Sequence, residues 1–575
     1  MATKNHFRKL TLPGLLGSIL VCHEQALAQE LQTLRLAPNE QVMQVWQQGS
    51  LGGASPSLAR QEDGSTRLEW KLGGTLDTYT NHAQSAGGLL ATPTRPGTFF
   101  RISSAGDVRA IHHDKAVDYF QLGMTHSNDP SVLSQSHRQI NNVQVGRSGD
   151  GYLLAAGDII PNFSSLSSSL AVRGLMGHRQ FQELTVTGFT GLVADSWEAV
   201  ERPLLRQRAI KEVHGIKMEK SFGTSLRTYV TSQSFSEREG SAALVEAPAL
   251  VPGKARSTSG GLIYQHGDLT VAVETARSHF KDGGGSDRKG AASVVDATWR
   301  AGSVSLRAGY HDISNGFTSL ALAAQPGIRE GYTTIEWTAS SQVLMSADLR
   351  RSRRTTSATE DAASTTQRTD SAAARASFNL GPAYPGWALS FQQLVTRPAD
   401  DTEQGTRNAD FSSTLNYASP VWNASVGYGA GRVSSVAAPE SASRTQRWSV
   451  SAGHTLSNSL TDLPQTWSLG TSVSASSQLQ RLLSGGETKT TNYALTFTGK
   501  RTGWGVINLQ MTGGEITRPL GGPSLRQRGF QLDAMFPFKR QASLKATLRS
   551  TQRNLGDPLV SSRENTVGLQ LAYDF

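Results

Sequence analysis

Apolar and polar residues alternate at period two through most of the chain. Val295, Ala297 and Trp299 alternate with Asp296, Thr298 and Arg300. After Ala301-Gly302, Val304, Leu306, Ala308 and Tyr310 alternate with Ser303, Ser305 and Arg307. Successive side chains of a strand point to opposite faces, so each run has one apolar and one polar face. Two such runs around a Gly-containing break read as a hairpin. The same design returns at Trp387-Leu389-Phe391, Phe411-Ser413-Leu415-Tyr417, Trp422-Ala424-Val426-Tyr428 and Trp448-Val450-Ala452. It continues at Trp467-Leu469-Thr471-Val473, Tyr493-Leu495-Phe497, Phe530-Leu532-Ala534-Phe536 and Ala542-Leu544-Ala546-Leu548. No helical period interrupts the series, which predicts an all-β chain built from consecutive hairpins.

The last strand carries the most specific signal. Val567, Leu569, Leu571, Tyr573 and Phe575 are apolar at strict period two, with Gly568, Gln570, Ala572 and Asp574 between them. This resembles the C-terminal assembly signal of bacterial outer-membrane β-barrel proteins, in which alternating apolar positions end on an aromatic residue. Gly568, Leu571, Tyr573 and Phe575 are the positions that match. The resemblance implies a single large transmembrane antiparallel barrel, handled during biogenesis by the barrel-assembly machinery. Connections should then alternate between long external and short periplasmic ones. Segments 235–256, 280–290, 313–329, 353–369, 397–407, 433–445, 479–489, 514–524 and 551–563 read as long and polar. Ser221-Phe222-Gly223, Ala301-Gly302, Ala339-Ser340-Ser341, Gly381 to Gly386, Ser419-Pro420, Gly499 to Gly503 and Pro537-Phe538-Lys539 read as short, while 455–466 is long for a periplasmic turn. Counted to a first strand near Leu68-Trp70-Leu72, the pattern predicts about 26 strands, within a range of roughly 20–28. Residues 99–113 read as one strand or as a hairpin at Ala105-Gly106-Asp107. The Ser-rich stretch 159–168 is a candidate to fold inward.

Composition changes the picture at the N-terminus. Lys4, Arg8 and Lys9 precede an apolar run from Leu10 to Val21, and Ala26-Leu27-Ala28 fits a small-residue cleavage site. Residues 1–28 are therefore expected to be a signal peptide, and 29–66 a short periplasmic or lumenal segment. A capped helix is expected there at Asn39-Glu40-Gln41 followed by Val42, Met43, Val45 and Trp46. The barrel takes 67–575. The mean hydropathy of −0.34 suits a chain in which only alternate residues meet lipid. No apolar stretch approaches the ~18 residues of a membrane helix. Cleavage would remove Cys22, the one cysteine, as suits transit through an oxidising compartment.

The 575-residue chain carries a net charge of +10. An exported location turns that excess towards anionic lipopolysaccharide or an anionic solute rather than nucleic acid. Register places Arg227, Arg300, Arg307, Arg447, Lys545 and Arg549 on the inward face, where they line a pore favouring anions or are balanced by acids such as Asp296 and Asp533. Arg350, Arg351, Arg353 and Arg354 are candidates to contact lipopolysaccharide phosphates at the outer end of a strand. No catalytic residue, metal site or cofactor site is expected. The adjacent His112 and His113 diverge in a strand, no H-E-x-x-H or G-x-S-x-G occurs, and the acidic, Gly-rich stretch Asp282 to Asp287 lacks calcium-loop spacing. Neither the plug of a TonB-dependent receptor nor the domains of a fimbrial usher are expected, since the barrel pattern takes nearly all of residues 67–575. The leading expectation is an outer-membrane conduit, porin-like or exporting a large solute such as a surface polysaccharide, with a possible periplasmic partner. A structural or adhesive barrel acting through external loops stands second, and a barrel enzyme third.

Overall fold

The protein is described from a computed structural model. It covers residues 66–574 apart from 87–94, 131, 134–136, 168–169, 195, 203–209, 238–252, 284, 286, 320–325, 357–364, 401–404, 436–441, 458–466, 519–521, 523 and 540. The expected signal peptide, residues 29–65 of the segment 29–66 with the helix expected there, and Phe575 lie outside the described residues.

Hairpins follow one another from the first strand. They are β1 (Arg67–Ala86), β2 (Gly97–Ile111), β3 (Val117–Ser127), β4 (Arg138–Gly149), β5 (Tyr152–Ile159), β6 (Val172–Phe181) and β7 (Leu184–Val193). A one-turn helix α1 (Trp197–Glu201) precedes β8 (Lys211–Phe222) and β9 (Leu226–Glu237). Then come β10 (Gly253–His266), β11 (Leu269–Asp282), β12 (Asp287–Ala301), β13 (Val304–Ile313), β14 (Ile328–Ser340), β15 (Val343–Thr356), β16 (Thr365–Asn379) and β17 (Trp387–Ala399). The last are β18 (Thr406–Ala418), β19 (Trp422–Ser435), β20 (Ser443–Ser457), β21 (Trp467–Leu482), β22 (Glu487–Arg501), β23 (Gly505–Thr517), β24 (Leu525–Lys539), β25 (Ala542–Leu555) and β26 (Asp557–Asp574).

Each strand pairs antiparallel with the next, and β1 pairs with β26 from Gly73↔Asp574 to Ala86↔Ser561, closing a 26-stranded barrel. Closure leaves no sheet edge. Residues 97–111 form one uninterrupted strand, so Ala105-Gly106-Asp107 is not a turn. The hairpin read at Ala301-Gly302 has the expected register, Trp299↔Leu306 and Val295↔Tyr310. Gly302 sits in its turn at φ 53°, a left-handed conformation that costs glycine little.

Several segments expected to be long external loops are instead paired strand. The connection between β21 and β22 is residues 483–486, and that between β11 and β12 is 283–286. Between β25 and β26 it is Gly556, at φ 59°. The hydrophobic alternation stops where the outward apolar belt ends, because beyond that level both faces are polar. The hydrogen-bond ladder has no reason to stop there. Strands such as β1, at 20 residues, therefore outrun the roughly 9–11 needed to cross a bilayer.

The shortest ladder joins β4 and β5, from Gln144↔Gly157 to Gly149↔Tyr152. Beyond it the β4 amides turn to side chains. Val143 N donates to Asp158 Oδ2 (2.8 Å) and Ile140 N to Glu198 Oε1 (2.7 Å). Trp197 Nε1 also donates to Asp158 (2.8 Å), so Asp158 and α1 together take up the β4 amides beyond the end of the β4–β5 ladder.

Candidate functional site: the lumen of the barrel

Register divides the wall into two faces. Leu68, Trp70, Leu72 and Leu76 share one face of β1 with Leu571, Leu569 and Val567 of β26. The same face continues through Leu544 and Leu548, Val473 and Leu495, Trp337 and Ile335, and Val230 and Leu262, all exposed. A continuous exposed apolar belt of this kind suits lipid and not water. Tyr428 packs at a tilt against Trp448 (centroids 4.5 Å apart) and Trp387 against Tyr417 (5.0 Å) on this face. The opposite face lines the lumen, and two stretches of it differ.

Along β5 to β13 the lumen is occupied by the chain's own connections. Residues 160–167, between β5 and β6, turn inward. Phe163 packs edge-on to Phe189 (5.0 Å, 77°) in a buried cluster with Ile159, Val172, Val213 and Phe235. Leu166 packs with Ala276, Ala292, Val294, Ile313 and Phe317, the last brought in by the connection after β13. Glu274, 3% exposed, holds the segment by accepting hydrogen bonds from Ser164 Oγ (2.5 Å), Ser165 Oγ (2.9 Å) and Leu166 N (3.2 Å). A buried carboxylate is tolerated when several donors satisfy it. Glycine makes the close approach possible. A Cβ on Gly215 would lie 2.2 Å from Phe189 Cε1, and one on Gly290 2.1 Å from Phe317 N.

Charged side chains on the same inner face are largely matched. Glu219 meets Lys217 (2.8 Å) and Arg227 (3.2 Å). Asp296 accepts from Tyr332 OH (2.5 Å) and faces His311 Nε2 (3.2 Å). The Arg350 guanidinium lies 5.8 Å from the Tyr332 ring centre and 4.0 Å from Glu330.

Along β18 to β24 the inner face carries short neutral polar side chains. Ser425, Ser449, Ser451, Ser474, Asn492 and Thr512, together with the apolar Ile516 and Leu525, line a concavity of about 530 Å³. Ser425 and Ser451 hydroxyls are 2.7 Å apart. The sparse charges nearby are Arg447, paired with Asp410 (2.5 Å), and Lys545, near Asp533 (3.6 Å).

All six basic residues expected to face inward do so: Arg227, Arg300, Arg307, Arg447, Lys545 and Arg549 are out of phase with the apolar belt. Arg300 and Arg549 have no carboxylate within ion-pair distance among the described residues. The four-arginine cluster of β15 does not form one patch. Leu349 is exposed to the outside, so Arg351 and Arg353 share its face, while Arg350 and Arg354 face the lumen with Tyr332. Adjacent strand residues cannot share a face. Gly568, Leu571 and Tyr573 lie in β26 with Leu571 paired to Leu76. His112 pairs with Asp118 (2.7 Å) at the β2–β3 turn, and the described residues hold no cluster of three or more potential metal ligands. The residues that sequence reasoning passed over are Glu274 and the hydroxyl-lined wall. Glu274 had no signal beyond its inward register, whereas the wall was visible as Ser and Thr at alternate positions of β20 to β22.

No family model matches the chain, and no curated protein does. Solved structures resemble it at low identity. The anion-selective porin from Comamonas acidovorans is 10% identical with a TM-score of 0.28, covering 50% of this chain and 90% of its own. OpdO from Pseudomonas aeruginosa is 12% identical with a TM-score of 0.33, covering 63% and 97%. OccK2 from the same organism, solved in complex with glucuronate, is 12% identical with a TM-score of 0.32, covering 63% and 96%.

Proposed function

We propose that the barrel spans the bacterial outer membrane as an aqueous conduit, with its passage along the β18–β24 wall. The observation that carries this reading is the contrast inside one lumen. The β5–β13 wall is packed with the chain's own connections, while the β18–β24 wall presents small hydroxyl and amide groups and leaves space. A barrel of this strand number encloses a water-filled interior unless its own loops fill it. Here the loops fill one side. A wall of neutral hydrogen-bonding groups suits a polyhydroxylated solute better than a simple ion, since it offers donors and acceptors without fixing charge. A surface polysaccharide is therefore the proposed cargo. The adhesive reading loses its main support, because several of the long external loops it needs are paired strand.

Conductance of the refolded barrel in a planar bilayer tests this. Large openings are expected, together with stepwise, reversible reduction of current by neutral oligosaccharides added to one side. A stably inserted barrel without openings would overturn the conduit. Openings indifferent to oligosaccharides would leave a conduit and remove the saccharide.

A further inference from the structure

Outside the barrel, beyond the lipid belt, arginines stand opposite one another across neighbouring strands. Arg329 of β14 pairs with Arg353 of β15, and Arg353 pairs with Arg368 of β16. Five strands further round the barrel, Arg432 of β19 pairs with Arg444 of β20, and Arg444 with Arg481 of β21. All six are exposed, and all lie in phase with the apolar belt. On β15 the outward run Met345, Ala347 and Leu349 gives way to Arg351 and Arg353. On β20 Val450 and Trp448 give way to Gln446 and Arg444.

Directly opposed residues bring their Cβ atoms within ~5.5 Å, and like charges in that position repel. Two of the rows' flanking arginines are relieved at the row ends: Arg329 by Asp312 (2.8 Å) and Arg481 by Glu487 (2.8 Å). Arg368 meets Asp370 (2.6 Å). Arg353, Arg432 and Arg444 have no carboxylate within ion-pair distance among the described residues. Each row thus keeps excess positive charge, at Arg353 in one and at Arg432 and Arg444 in the other, where the outward apolar surface ends, and an external anion of high charge density would balance it. Guanidinium groups bind phosphate through paired N–H donors.

We propose that these two rows are binding sites for phosphate-bearing lipid headgroups of the outer leaflet, one per row. The site of phosphate contact thus moves from the mixed cluster at Arg350 to Arg354 onto arginines that share the outer face. This rests on the barrel spanning the outer membrane with these strand ends at its outer surface.

The test is native mass spectrometry of the full-length, detergent-extracted barrel mixed with bisphosphorylated lipid A, dephosphorylated lipid A, or inorganic phosphate. Two retained bisphosphorylated lipids are expected, with dephosphorylated lipid retained about tenfold less. Arg353→Gln with Arg444→Gln should cause a similar loss, and Lys220→Gln, outward at the opposite end of the barrel, none. Equal retention of both lipids overturns the proposal. So does binding of inorganic phosphate without lipid, which would assign the rows to a free anion. Insertion of the same preparation into vesicles is scored separately. A barrel that fails to insert refutes the membrane reading, whereas one that inserts without phosphate preference refutes the rows alone.

Discussion

The inner faces of β5–β13 and β18–β24 belong to one continuous ladder, yet they behave as two materials. The first has inward-facing Phe189, Val213, Phe235, Ala276 and Val294, and these receive Phe163, Leu166 and Phe317 from connections that fold back into the barrel. The second has Ser449, Ser451, Ser474 and Thr512, and receives nothing among the described residues. The strand geometry is the same on both sides, so the difference lies in what the inward positions offer a loop. Apolar side chains with glycine gaps bind a returning segment, whereas short hydroxyl side chains offer it little apolar surface to bury.

The comparison can be broken from either side. The largest effect is expected from Phe163→Ala, which removes a buried aromatic and should cost about 3–5 kcal/mol of the segment's docking. Hydrogen exchange at 160–167 should rise to loop-like rates and conductance should increase. Unchanged exchange would show that the segment is held by something other than this packing. Gly215→Val forces a side chain into the Phe189 ring and should destabilise by about 1–3 kcal/mol, read as a lower urea midpoint for the vesicle-inserted barrel. Glu274→Gln exchanges a charged acceptor for a neutral one beneath Ser164, Ser165 and Leu166. It should cost about 1–2 kcal/mol and raise exchange at Leu166 without disturbing Phe163 to the same degree. At the other wall, Ser451→Ala should change stability by less than about 0.5 kcal/mol while weakening the oligosaccharide block. If the serine substitution destabilises the barrel as much as Phe163→Ala, the two walls are not different in kind. The smallest effect belongs to Arg300→Gln, which should shift reversal potential towards cations and leave stability unchanged.

How far these features were legible follows from their physical origin. Strand existence, the facing of Arg227, Arg300, Arg307, Arg447, Lys545 and Arg549, and the hairpin at Ala301-Gly302 all follow from period-two alternation, which is local. The ends of strands were not legible, because pairing continues where the apolar pattern ends, as at β21–β22 and β25–β26. The grouping of Arg350 with Arg351, Arg353 and Arg354 failed because nearness in sequence was given precedence over the strict alternation of faces. The arginine rows were invisible for a different reason. Arg329, Arg353 and Arg368 are scattered in sequence, and only cross-strand register aligns them.

By itself the sequence determined that this chain is a barrel of many antiparallel strands with an apolar outside and a polar inside, since alternation at each strand requires no knowledge of its neighbours. Only the tertiary structure decided which part of that inside is open. The inward turn of residues 160–167 depends on Glu274, 110 residues from Ser164, and on clusters gathered from strands β5 to β13. Contacts at that separation are set by barrel closure and register, not by any local preference of the segment.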